Sequence, residues 1–241
     1  MAVGQPADRM AESYARWRSS RLGRITDALE QRLLLELLGS VAGKTLLDVG
    51  CGDGALAAEL ARRGALVTGL DTDPVMIAAA RQRSESGATP LRLVEGRAEA
   101  LPFEDNSFDY TVSVTTLCFV REARRATAEM ARVLKPGGRL VIGELGRWSL
   151  WSAHRRMRGW FGDPTWRTAD FRTAAGLRKL AASAGLDALE IRGAIYYPRC
   201  ATAARLLAPV DLWIGRKTTF GSAFLALAAV KPVRPESSES E

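Results

Sequence analysis

From about residue 45 the chain alternates short β-branched or leucine-rich runs with stretches of helical periodicity, and this alternation constrains the fold more than any other feature. Candidate strands fall at Thr45–Val49, Leu66–Asp71, Leu91–Glu95, Phe108–Val114 and Arg139–Leu145, with candidate helices at Gly54–Arg63, Pro74–Ser86 and Arg121–Leu134 between them. The last of these helices is closed by Lys135-Pro136-Gly137-Gly138, where proline stops the helix and the glycines turn the chain. A further helix over Thr173–Ala184 ends at Gly185, and runs at Ala188–Tyr196 and Phe220–Val230 supply two more strands. The expectation is an α/β fold with a seven-stranded, mostly parallel sheet sandwiched by helices.

The flanks read differently. Ala15 to Leu38 has the pattern of one or two amphipathic helices with a break near Ser20–Gly23, so residues 1–43 are expected to form an N-terminal helical cap on a domain spanning 44–231. Two stretches interrupt the regular pattern, about 146–172 and 198–219. The first holds Trp148, Trp151, Trp160 and Trp166, four of the six tryptophans, which argues for an ordered, lid-like insertion. The tail 232–241 is built from proline, serine and glutamate, cannot bury enough apolar surface to order itself, and is expected to be disordered.

At 241 residues and 47% hydrophobic content the chain can bury one substantial core. Its longest apolar runs, such as Ala223 to Val230, fall short of the roughly 20 residues that cross a bilayer, and its N-terminus lacks a signal peptide's apolar core. A soluble, cytoplasmic protein with no transmembrane segment is expected. Cys51, Cys118 and Cys200 are too scattered for a disulfide framework or a CxxC site, and with His154 as the single histidine no metal site is expected. Three glutamates in the last six residues mask a body of net charge +10, which suits general solubility and also leaves acidic substrates, nucleic acid or a membrane surface open as partners.

In an open parallel sheet ligands bind beyond the carboxyl ends of the strands. The first such loop is Gly50-Cys51-Gly52-Asp53-Gly54-Ala55. Gly50 and Gly52 let the backbone approach a ligand without a Cβ clash, and Gly54 brings the next helix close to its strand. Asp71 ends the second strand 21 residues after Gly50, where a carboxylate accepts hydrogen bonds from ribose hydroxyls, so a nucleoside ligand follows. Gly50, Gly52 and Ala55 also satisfy the dinucleotide pattern GxGxx(G/A), but Asp53 and Asp48 place carboxylates where a pyrophosphate needs none. S-adenosylmethionine (SAM) has no phosphate and carries an ammonium and a sulfonium, so the acidic residues suit it.

The run Leu46-Leu47-Asp48-Val49-Gly50-Cys51-Gly52-Asp53-Gly54 resembles motif I of the class I SAM-dependent methyltransferases. Further matches follow in order: Gly69-Leu70-Asp71, Ala98-Glu99-Ala100-Leu101-Pro102-Phe103, Asn106-Ser107-Phe108-Asp109 and Arg132-Val133-Leu134-Lys135-Pro136-Gly137-Gly138. The set is similar to the small-molecule branch that includes the ubiquinone and menaquinone methyltransferases (methyltransferase type 11 domain), and covers roughly residues 44–145. It implies a Rossmann-like fold with SAM as cofactor. Gly50 and Gly52, with Cys51 between them and Asp48 behind, would line the methionine part. Asp71 would hold the ribose, Ala98 and Glu99 would meet the adenine edge, and Thr72 and Met76 would flank the ring. Thr115 or Thr116 would line the reaction site. Many relatives have an aspartate before the Ala-Glu pair where this chain has Arg97, which shifts adenine recognition toward backbone groups.

The segment Tyr14-Ala15-Arg16-Trp17, with Gly23 and Glu30, also resembles a helical cap of this branch, which implies that Tyr14 or Trp17 can close the pocket, with packing of Trp17 on the sheet as the alternative. Between Arg147 and Arg172 six arginines stand against Asp163 and Asp170, interleaved with aromatics that suit a planar acceptor, single-stranded nucleic acid or plain packing. His154 is a candidate base or a surface histidine. No catalytic residue is assigned, because displacement at a sulfonium carbon is accelerated by alignment and desolvation and needs a base only when the acceptor is protonated. The expected function is methyl transfer to a small-molecule acceptor. The alternatives are SAM binding without catalysis, nicotinamide-dependent oxidoreduction, and nucleic-acid methylation, which is disfavoured because Val114-Thr115-Thr116-Leu117 replaces the Asn/Asp-Pro-Pro-aromatic motif common in enzymes that act on base amines.

Overall fold

Strand β1 (Thr45–Val49) shows how the sequence builds the sheet: Leu46 enters one apolar cluster while Leu47 and Val49 enter another on the opposite face. A strand buried on both sides belongs in the middle of a parallel sheet. In the computed structural model, which describes residues 16–87 and 89–233, β1 is central. The chain continues through α2 (Ala55–Arg62), β2 (Leu66–Asp71), α3 (Pro74–Ser86), β3 (Arg92–Glu95), β4 (Phe108–Val114), α4 (Ala123–Val133) and β5 (Leu134–Leu145). Then come α5 (Leu150–Trp160), α6 (Pro164–Thr168), α7 (Ala174–Ser183), β6 (Asp187–Ala194), α8 (Ala201–Lys217) and β7 (Phe224–Val230). The spatial order is β3-β2-β1-β4-β5-β7-β6, with β7 antiparallel to both neighbours and the other pairings parallel. The expected seven-stranded α/β sheet is present.

Before β1, helix α1 (Arg21–Leu38) starts where Ser20 accepts a hydrogen bond from the Gly23 N–H, so the expected break falls at the cap. Its buried leucines, Leu29, Leu33, Leu34, Leu37 and Leu38, join Val67, Val112 and Val141 in one face of the sheet, and Arg139 donates to the carbonyls of Leu37 and Leu38 at its C-terminal end. Helix α1 is thus one of the layers covering the sheet. Leucines and alanines of α4 and α7 cover the other face.

Two local expectations change, and a third is left open. Lys135–Gly138 is not a turn ahead of the fifth strand: β5 begins at Leu134, which pairs with Phe108, and its register slips before Arg139 pairs with Tyr110. Gly137 (φ 75°) donates to the Lys231 carbonyl and Lys231 donates to Gly138, so the segment finds its backbone partners just beyond β7. The stretch 198–219 folds mainly as α8, and 146–172 carries α5 and α6. The tail expectation concerns residues that, apart from 232 and 233, lie outside the described ones.

Candidate active site

The connection from β1 leads toward β2 and β3, and the next strand, β4, returns to the opposite side of β1. This reversal opens a crevice at the carboxyl ends of β1 and β4. Gly50, Gly52 and Gly54 all have positive φ, at 76°, 54° and 73°. Their duties differ from the sequence reading. A Cβ on Gly50 would lie 2.2 Å from Thr116 Oγ1, so this glycine makes room for a neighbouring loop, whereas a Cβ on Gly52 would meet nothing within 4 Å. Gly52 therefore marks the open side of the loop. The Gly50 and Cys51 N–H groups both donate to the Leu70 carbonyl, at 2.7 and 3.0 Å. The Gly52 N–H donates to Asp71 Oδ2 at 2.8 Å, and the Asp73 N–H donates to Asp71 Oδ1 at 3.0 Å. Asp71 is thereby fixed at the crevice with accepting capacity left on both oxygens.

Charge is concentrated beneath this loop. Asp48 is 3% exposed, and burial, reinforced by repulsion from Asp71 and Asp53, pushes its carboxyl up to about 7. Asp53 does sit at the start of α2, accepting from the Ala55 N–H at 3.3 Å, but its charge is not free. Arg18 pairs with it at 3.3 Å and Arg83 at 2.5 Å, so the argument against a phosphate ligand rests on Asp48 instead. Arg18 also holds Asp27 of α1 at 3.1 Å, tying that helix to the loop.

The remaining expected residues surround the same crevice end of the sheet. Thr72 is exposed and Met76 half-buried at the start of α3, where Asp73 caps the helix through the Val75 N–H. Ala98 is buried, and the Glu99 carboxylate is paired with Arg97 at 3.0 Å, the residue that departs from the family pattern. Thr115 holds a left-handed backbone (φ 49°) that few non-glycine residues adopt, anchored by its N–H to the Gly143 carbonyl at 2.7 Å. Thr116 donates to the carbonyls of Gly50 and Val114 and so links the β1 and β4 loops. Cys51 lies under the loop, its sulfur 2.9 Å from where a Cβ on Gly69 would be. Burial pushes the thiols of Cys51 and Cys118 up, consistent with inert packing. Asp109 belongs to the opposite end of the sheet. Its carboxyl, raised by burial but lowered more by the Thr45 N–H, the Thr45 hydroxyl and Lys135, settles at about 2.

His154 lies half-buried on α5, where burial and then Arg199, Arg158 and Arg155 lower its pKa. Trp17 is half-buried against the core and Tyr14 lies outside the described residues. One carboxylate escaped the sequence reading. Glu144, near the end of β5, is fully buried and accepts from the Leu117 N–H at 2.8 Å, while its Oε2 has no partner among the described residues. Burial pushes it up to about 7 against the lowering effect of Cys118 and Arg172. A lone carboxylate within the apolar run Leu140–Leu145 was the available signal. Glu30 of α1 is pushed up to about 8 by burial and by Asp27, against Arg155 and Arg18.

A family model described as a methyltransferase domain matches residues 47–142, a span that runs from within β1 into β5 and carries the loops after β1, β2, β3 and β4. This segment belongs to the methyltransferase domain family. It is of the class I, SAM-dependent type, and SAM is the cofactor of that type. The chain is 41% identical over 138 residues to a demethylmenaquinone methyltransferase of Tropheryma whipplei, a match covering 57% of this chain and 56% of that protein. The chain thus spans about half the length of that relative. A SAM-dependent methyltransferase of Thermotoga maritima, described as a possible histamine N-methyltransferase, superimposes with a TM-score of 0.71 at 23% identity, covering 93% of this chain and 97% of that one. The cyclase SpnF superimposes with a TM-score of 0.65 at 25% identity, over 85% of this chain and 80% of that one. The methyltransferase domain's residues fit SAM on their own terms: a cation offsets the burial and the repulsion that raise Asp48, and the open side of Gly52 leaves room for it.

Proposed function

We propose that this chain is a cytoplasmic enzyme that transfers the methyl group of SAM to a small-molecule acceptor, with an aromatic acceptor such as the demethylmenaquinone named for the T. whipplei relative as the first class to test. The observation that carries the reading is Asp71, clamped by the Gly52 and Asp73 N–H groups beside the buried Asp48. SAM supplies a methyl group on a positively charged sulfur. Asp71 accepts from the ribose hydroxyls with its spare lone pairs. Asp48, Gly50, Cys51 and Gly52 hold the methionine part, Thr72 and Met76 flank the adenine, and Ala98 and Glu99 meet its edge. Thr115 lines the reaction site, and Glu144 positions the β4 loop through the Leu117 N–H. Titration with SAM should show saturable binding that Asp71→Ala weakens by roughly 10- to 100-fold, the loss expected for charge-assisted hydrogen bonds. Unchanged affinity in that variant would sink the assignment. Release of S-adenosylhomocysteine across an acceptor library that includes demethylmenaquinone tests the acceptor.

A second reading, SAM binding without methyl transfer, is favoured by the likeness to SpnF, which is described as a cyclase. Methylated product from any acceptor decides against it.

A further inference from the structure

Helices α5 and α8 each have two apolar faces, and a helix that is apolar on its outer face needs a partner. Inward, α5 buries Trp151 and Gly159 while α8 buries Ala204, Leu212 and Gly215. Outward, α5 presents Leu150, Met157 and Trp160 and ends at Phe161, with Leu150 71% exposed and Trp160 and Phe161 each 85% exposed. Leu206, Val210 and Trp213 recur at helical spacing along the outer side of α8, and Trp213 is 63% exposed. The two helices share one end of the molecule. Strands β5 and β6 both run antiparallel to β7 and hence in the same direction, so α5 and α8 follow carboxyl ends on one edge, the edge that carries the SAM loop. Trp151 of α5 reaches the segment that leads from β6 into α8, donating to the Tyr197 carbonyl at 2.7 Å with the Arg199 guanidinium 5.4 Å from its ring.

The charge on these faces has one sign. Helix α5 carries Arg155, Arg156 and Arg158 and no carboxylate. Helix α8 carries Arg205, Arg216 and Lys217, and its single acid, Asp211, is buried and accepts from the N–H groups of Ile195 and Tyr196. Arg158 and Arg216 are paired with Asp163 and Glu36, but Arg156, Arg205 and Lys217 make no ion pair among the described residues. Beside α5 a cavity of about 250 Å³ is lined by Arg147, Arg156 and Arg167 with Trp160 and Trp166, and its one carboxylate, Asp170, is held by Arg172 at 2.9 Å.

We propose that α5 and α8 form a docking surface for an anionic phospholipid bilayer, with Leu150, Trp160, Phe161, Leu206 and Trp213 entering the headgroup boundary and the basic residues meeting phosphates. Exposed tryptophan beside aliphatic side chains, rimmed by cations, matches the chemistry of that boundary. Trp160, Phe161 and Trp213 could stack bases, but the aliphatic share of the surface, Leu150, Met157, Leu206 and Val210, gives single-stranded nucleic acid no platform and suits acyl chains. A second copy packed face to face would bring the cationic rims together. No described helix is long and apolar enough to cross a membrane, so the contact is interfacial. It does not depend on which reaction the crevice performs.

The test is co-sedimentation of the whole chain with vesicles of phosphatidylcholine alone and of phosphatidylcholine mixed with phosphatidylglycerol, read together with tryptophan emission. Binding to the mixed vesicles alone, a blue shift and weakening with added salt are expected. Trp160→Glu with Trp213→Glu should lower partitioning roughly tenfold or more while the thermal unfolding midpoint holds, and Arg156→Glu with Arg205→Glu should lower it similarly without touching apolar area. The proposal is overturned by absent vesicle binding, by equal binding to neutral vesicles, or by a dimer in sedimentation velocity that the tryptophan variants dissolve while vesicles are ignored. Binding of a single-stranded RNA oligomer without vesicle binding overturns it equally.

Discussion

Asp48 stands where elementary electrostatics disfavours a carboxylate: buried in the central strand, near Asp71 and Asp53, and raised to about 7 in consequence. Asp48→Asn keeps the shape and removes the charge. At pH 8 the ligand-free variant should be more stable than the parent by about 1–2 kcal/mol in urea unfolding, yet bind SAM more weakly. A variant both less stable and unimpaired in binding would contradict this account. Glu144→Gln, which keeps an acceptor for the Leu117 N–H, should leave stability near the parent's at pH 6, whereas Glu144→Ala orphans that donor and should cost about 1–3 kcal/mol. Asp48, Asp71 and the glycine spacing were legible because their chemistry is local. The arginines that neutralise Asp53 were not, since Arg18 and Arg83 lie 35 and 30 residues away and only the fold brings them in.

Among elements, the β1 loop is held by its fit against the β4 loop. Gly50→Ala meets a left-handed backbone and the Thr116 side chain together, and should destabilise by about 1–3 kcal/mol. Adding Thr116→Ala should restore only part of that loss, because Oγ1 and Cγ2 go but the residue 116 Cβ, 2.7 Å away, and the strained φ remain. Full additivity of the two changes would show that the close approach is unimportant. The alternation that revealed β1 to β5 was legible because each element there has one dominant period. Helices α5 and α8 were harder to read, because inward residues such as Trp151 and Leu212 alternate with outward ones such as Trp160 and Val210, which blurs the helical stripe. Pro209 within α8 adds a false stop signal. The antiparallel place of β7 was equally hidden, since it depends on how α8 returns the chain between β5 and β6.

Over the whole molecule, the raised carboxylates of half-buried Glu30 and buried Asp48 and Glu144 dominate the response to pH. Glu30 is raised to about 8 and Asp48 and Glu144 to about 7, in each case first by burial. Each therefore holds its proton in the folded state at pH values where the unfolded chain has released it. With more protons bound when folded, these groups make stability fall as pH rises from about 4, where the unfolded groups ionise, through about 8, and the raised thiols of Cys51 and Cys118 carry the fall on above that. Asp109, held near 2, contributes in the opposite sense, but only at strongly acid pH. The thermal midpoint of the ligand-free protein should accordingly be higher at pH 6 than at pH 8.5. SAM should reverse part of this trend, because its positive charge favours ionised Asp48, so the ligand-induced rise in midpoint should be larger at pH 8.5 than at pH 6. Asp48→Asn should flatten that pH dependence of the ligand effect while leaving the contributions of Glu30 and Glu144 in place. A ligand effect independent of pH in the parent protein would mean that Asp48 does not sense the bound cation, and the electrostatic account of the site would have to be abandoned.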